Sequence, residues 1–160
     1  MEKQLSNIWF TVLVALFTYN AHAADKAKAP QDNSRYVIKG GEVYDTETDR
    51  TWQRCSVGMR WIEGKGCKGV HKQVDFEDAQ KLTAGQWRIP DREEYVSLYG
   101  KKLEDRITDD ALDERIFPDS KIDDKCHWAS NKSGDDHAWS TCGVKYTFVE
   151  LNVRLVRTGQ

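Results

Sequence analysis

The chain has 160 residues, four of them cysteine, and 24 Lys and Arg against 26 Asp and Glu give a net charge of −2. So even a balance excludes the strong positive field that binding to nucleic acid or an anionic membrane surface requires. The length suits one domain with a substantial core.

The chain opens on a targeting pattern. Lys3 precedes the apolar run IWFTVLVALFTY at 8–19, and AHA at 21–23 places small residues at −3 and −1 of a cleavage point after Ala23. The run is shorter than the roughly 20 apolar residues of a membrane-spanning helix. Residues 1–23 are therefore expected to be a secretory signal peptide, 24–34 a flexible polar leader, and 35–158 a single domain. The expected location is periplasmic or secreted, with no stable membrane insertion. In that setting Cys55, Cys67, Cys126 and Cys142 read as two disulfides. Three pairings are possible, and the short loops 55–67 and 126–142 are favoured because each pair brackets its own Gly- or Ser-containing loop.

Along the folded part, YVIKGGEVYD, TETD and RTWQRC (36–55) set apolar residues around a polar turn and predict a hairpin ending at Cys55. SVGMRWIEGKG follows as a Gly-rich loop closed by Cys67. In DFEDAQKLTAG (75–85), Phe76, Ala79 and Leu82 share a helical face, with Asp75 as N-cap and Gly85 as stop. WRIPDREEYVSLYG (87–100) predicts a second helix, with Asp91 and Glu94 as a capping box, Tyr95, Leu98 and Tyr99 as its apolar face and Gly100 as its end. Residues 101–125 are charged and irregular, with one helical turn expected at TDDALDERIF. KYTFVELNVRLVR (145–157) is rich in β-branched and aromatic residues and predicts one or two strands, Val153 and Leu155 alternating against Arg154 and Arg157. The fold class is α+β, the late strands returning to pair with the first ones. Core packing is the expected fate of Trp52, Trp87 and Trp128, whereas Trp61 and Trp139 lie inside the cysteine-bracketed loops.

The densest chemistry sits in CHWASNKSGDDHAWSTC (126–142). A zinc site is disfavoured because there is no paired-cysteine knuckle and oxidation removes the thiolates. Asn131, Asp135 and Asp136 offer hard oxygens, so calcium is the one candidate ion, although the D-x-[DN]-x-[DN]-G spacing is lacking. No other cofactor is expected. His127 or His137 beside Asp135 or Asp136 could orient an imidazole as a general base, but solvated loop histidines explain the pattern as well. GMRWIEGKG fails as a phosphate loop, since Gly66 rather than Ser or Thr follows Lys65. The cysteines are read as a clasp, with Asn131, Lys132, Asp135, Asp136, His137 and Trp139 lining an outward ligand surface.

Taken in order, VYDTETDRTWQRCSVGMRWIEGKGCKG, DFEDAQKL, WRIPDREEYVSL, FPD, HWASN, AWSTC and VRLVR resemble the Lcl C-terminal domain family over about 36–157. The resemblance implies a C-type-lectin-like fold, with two helices beside an antiparallel sheet and a long irregular loop region. It also implies that Cys55 and Cys67 pair, and that ligands meet a loop face including 119–142. Members look like adhesion or binding modules, some engaging sulfated polysaccharides. Here that face mixes Lys121, Lys125 and Lys132 with five aspartates, there is no collagen-like repeat, and the Glu-Pro-Asn and Gln-Pro-Asp triplets of calcium-dependent lectins are missing. The expectation is an exported, non-enzymatic module recognising a glycan or an envelope or extracellular protein. The alternative is a periplasmic partner factor: an inhibitor, an immunity protein or an envelope-complex subunit. A hydrolase built on the loop histidines is the third reading.

Overall fold

A computed structural model describes residues 35–99, 112–120 and 126–160. The expected signal peptide and leader, the start of the TDDALDERIF turn, Gly100, Lys121 and Lys125 lie outside the described residues. In chain order the elements are β1 (Tyr36–Lys39), β2 (Glu42–Asp45), β3 (Arg50–Gln53), β4 (Met59–Ile62), β5 (Gly66–Gly69), α1 (Phe76–Gln80), α2 (Arg92–Tyr99), β6 (Trp128–Lys132), β7 (His137–Ser140), β8 (Gly143–Tyr146) and β9 (Val156–Thr158). The class is α+β, with antiparallel sheets in the orders β1-β2-β3-β9, β4-β5 and β6-β7-β8.

The predicted hairpin about TETD is β2–β3, and a further turn at Gly40–Gly41 folds its first arm into β1 and β2. Asp45 shapes the TETD turn: its carboxylate accepts the Glu47 N–H at 3.1 Å and the Thr48 hydroxyl at 2.8 Å. That local bonding is why aspartate favours turns. Asp49 then adopts a φ of 53°, a left-handed conformation that short polar side chains tolerate. Val43, Trp52 and Val156 lie opposite one another across β2, β3 and β9, and all three are fully buried. They form one core with Tyr95, Leu98, Ile116, Phe117 and Ala129. Val37, Tyr44, Thr51 and Arg157 form the next register row, which alternation places on the other face.

The first helix is shorter than predicted. Asp75 caps α1 by accepting the Asp78 N–H at 2.8 Å, but the helix ends at Gln80 after little more than one turn. Phe76 and Ala79 are buried; Leu82 packs beside them, outside the helix. The run 81–87 contains Thr83 and Gly85, poor helix formers, and closes as a turn between Ala84 and Trp87. The second helix runs Arg92–Tyr99, as its Asp91 cap requires, and leaves 87–90 of the predicted segment outside it. The preceding residues are held extended because Arg88 exchanges backbone hydrogen bonds with Val156 at 3.0 and 2.9 Å, and a residue before proline avoids the helical region. The capping box forms reciprocally: Asp91 Oδ1 accepts from Glu94 N at 2.7 Å, and Glu94 Oε2 accepts from Asp91 N at 2.9 Å.

Both favoured cysteine pairs are bonded, Cys55–Cys67 and Cys126–Cys142. The second does not close an irregular loop. Residues 128–140 form the β6–β7 hairpin, with Trp128, Ala129 and Ala138 buried under it. Trp128 meets Phe76 edge-on at 5.5 Å and donates its indole N–H to the Val74 carbonyl at 2.9 Å. The tail also departs from expectation. Only 145–146 and 156–157 of it lie in strands, and 151–156 is buried without interruption. Arg154 does not alternate outward; it is 1% exposed and paired with Asp119. Trp52 and Trp128 are core residues, but Trp87 is only half-buried, beneath the Arg157 guanidinium.

Candidate functional site

The six loop residues singled out in the sequence separate into two groups. Asn131 and Trp139 serve the interior. Asn131 Oδ1 accepts the Arg92 N–H at 2.6 Å and so caps the first turn of α2, where backbone donors have no helical partner. Trp139 is half-buried against the core, and the Arg92 guanidinium lies 4.5 Å from its ring. Lys132, Asp135 and Asp136 are exposed at the β6–β7 turn. His137, at the start of β7, is half-buried, and its Nδ1 meets Asp136 Oδ1 at 2.5 Å. Among the described residues no group of three or more His, Cys, Asp and Glu side chains is placed to hold a metal ion.

His137 leads to residues that sequence reasoning missed. It is paired with Tyr146 across β7 and β8, and the two rings are 4.2 Å apart. Tyr146 stacks in turn on Phe148, with centroids 5.2 Å apart and planes within 19°. Tyr146 is 49% and Phe148 72% exposed, with Val144 on the same strand 40% exposed. A row of aromatic rings this open to water is an interaction surface candidate rather than ordinary surface scatter. The signal was present in KYTF, where aromatics alternate with polar residues, but β propensity alone assigns such a pattern to strand packing.

His127 has a different fate from His137. It is 5% exposed, and its Nε2 lies 2.8 Å from Ser56 Oγ. Ser56 also donates its hydroxyl to Asp119 Oδ2 at 2.7 Å, and that oxygen accepts the Ser56 N–H. A serine hydroxyl has one proton to give. With that proton on Asp119, His127 Nε2 must donate, so the pair does not have the order a nucleophile and its base require. Asp119 Oδ1 completes the cluster by accepting from Arg154 Nη2 at 2.6 Å, while Arg154 Nη1 donates to the Gln53 carbonyl at 2.8 Å. Burial pushes the Asp119 carboxyl up, but the Arg154 charge beside it outweighs that and holds it below the usual range. The cluster ties the 112–120 segment to β3 and to the tail; it is a structural joint.

Trp61 also resolves into a structural contact. Its ring lies 3.9 Å from the Arg54 guanidinium, and its indole N–H donates to Glu63 at 3.0 Å. Arg54 itself is buried without a carboxylate partner and donates instead to the carbonyls of Gly40, Arg115 and Ile116 at 2.7–2.8 Å. Among the described residues no helix is long and apolar enough to cross a membrane.

No curated protein and no solved structure matches the chain. The ordered blocks around Cys55, Asp75, Pro90 and the tail do have a counterpart: the family model of the Lcl C-terminal domain matches residues 41–157, and the chain belongs to that family.

Proposed function

We propose that the chain is an exported, non-enzymatic binding module that takes a glycan on the face of β7 and β8, within a C-type-lectin-like architecture. The observation that carries this reading is the stacked column His137–Tyr146–Phe148, open to solvent at its Phe148 end. An aromatic face offers a flat apolar surface with negative charge above the ring, which suits the polarised C–H face of a sugar. Asp136, in contact with His137, stands beside the column as a hydrogen-bonding group for hydroxyls. The Cys126–Cys142 bond holds the hairpin beneath it and so lowers the ordering cost of binding. Two disulfides fit the oxidising periplasm or cell exterior.

A protein ligand is the second reading, favoured by the exposed apolar strip Val144, Tyr146 and Phe148. It covers the periplasmic partner roles of an inhibitor, an immunity factor or an envelope subunit. The test is a broad glycan array probed with the oxidised protein, with calcium and with chelator. Phe148→Ala and Tyr146→Ala should abolish specific hits while leaving the melting temperature nearly unchanged. Loss of signal in chelator would make calcium a participant. A blank array, with capture of one envelope protein that Phe148→Ala abolishes, would replace the glycan by a protein.

A further inference from the structure

A second surface lies where the β1–β2 turn meets the β4–β5 hairpin. A cleft of about 320 Å³ opens there, with Lys39, Glu42, Gln53, Met59, Arg60 and Trp61 in its walls. A smaller depression of about 40 Å³ lies on the four-stranded sheet, with Lys39 and Glu42 in the walls of both.

The Trp61 wall is rigid. Gly41 has no side chain, and a Cβ there would fall 2.8 Å from Trp61 Cβ, so the indole seats directly on the turn. Arg54, locked by three carbonyls, stacks on its ring, and Cys55–Cys67 ties the hairpin to the end of β3.

The cleft also carries unmatched positive charge. Glu42 is neutralised by Arg157 at 3.0 Å. Lys39 has only the neutral Gln160 side chain, at 3.4 Å. Arg60 has no ion pair or hydrogen bond among the described residues and stands opposite Lys68 in the hairpin register. Like charges directly opposite cost stability. Glu42, the acid in the cleft wall, is already engaged by Arg157.

We infer that this cleft binds an acidic peptide segment, its carboxylate seated between Lys39 and Arg60 and a neighbouring apolar side chain resting on Trp61 and Met59. A peptide fits better than a uniform polyanion because the Glu42 carboxylate lines the cleft and can accept a backbone N–H beside its contact with Arg157. In addition, β1 is the edge of its sheet among the described residues, and an edge strand offers backbone groups of the kind an extended peptide completes. This site is separate from the β7–β8 face and stands whether or not that face binds sugar.

The experiment is an NMR titration of the isotope-labelled oxidised protein with a capped hexapeptide of alternating Glu and Leu. The Lys–Leu counterpart and dextran sulfate serve as comparisons. The Glu peptide should shift the amides of Lys39, Gln53 and Arg60 and the Trp61 indole N–H saturably, and the Lys peptide should not. Lys39→Glu and Arg60→Glu should each weaken binding about tenfold, with the rest of the spectrum unchanged; Lys81→Glu, at an exposed lysine outside the cleft, should leave it intact. No saturable shift, equal shifts with the Lys peptide, or unchanged affinity in both cleft variants would overturn the proposal. Shifts produced by dextran sulfate alone would reassign the cleft to polyanions.

Discussion

Arg88 grips both oxygens of the Glu94 carboxylate, Nη2 to Oε1 at 2.6 Å and Nη1 to Oε2 at 2.7 Å. Arg50 adds a third contact at 2.6 Å, and the same carboxylate closes the capping box of α2. One side chain therefore joins β3, the extended WRIP segment and a helix start. Glu94→Gln keeps the shape but loses the charge. It should cost about 1–3 kcal/mol in urea unfolding, at the low end because both arginines are partly exposed.

The Asp119–Arg154 pair is the opposite case, with side chains 0% and 1% exposed. Breaking it from one side should be costly, about 3–5 kcal/mol for Asp119→Ala or Arg154→Ala, because the remaining partner is left charged and buried. The double change Asp119→Leu with Arg154→Met should recover much of that loss, since the two effects share one interaction. Equilibrium unfolding of the three variants checks this; a double variant as unstable as the sum of the singles would contradict it.

Acid should unfold the protein through these same groups. Burial alone would raise the carboxyls of Asp45, Glu94 and Asp119, yet Arg35, Arg88 and Arg154 respectively outweigh it and hold each below its ordinary range. The unfolded chain then binds protons at a higher pH than the folded one. The stabilisation is complete above the ordinary carboxylate pKa of about 4 and declines as pH falls through and below it. Thermal melts at decreasing pH should show that decline, with a smaller slope in Glu94→Gln.

Trp128→Ala should cost about 3–5 kcal/mol, the price of emptying a fully buried aromatic site, and it also strands the Val74 carbonyl. Trp87→Ala should cost about 1 kcal/mol, because that ring is half in water under Arg157. Chemical denaturation of both variants side by side gives the comparison.

Local signals carried well in this sequence. The TETD turn, the Asp75 cap and the Asp91/Glu94 box are each decided by groups within a few residues of one another, and they form where read. What failed was set at a distance. Nothing near Arg154 in sequence reveals that Asp119, 35 residues earlier, will draw it inside. The β6–β7 hairpin is written in WASNK and HAWS, whose polar residues mimic a loop until Phe76 and Val74 cover Trp128. Asn131 was read as facing outward for the same reason: the helix start that engages it lies 39 residues away, and the open rings are those of Tyr146 and Phe148.

The buried run from Leu151 to Val156 has a consequence for how the protein is made. Until those residues leave the ribosome, β3 lacks its neighbour, Asp119 lacks its cation, and the bridges from Val74 to Leu151 and from Arg88 to Val156 have only one side. Folding therefore waits on contacts between distant parts of the chain, which makes it slow.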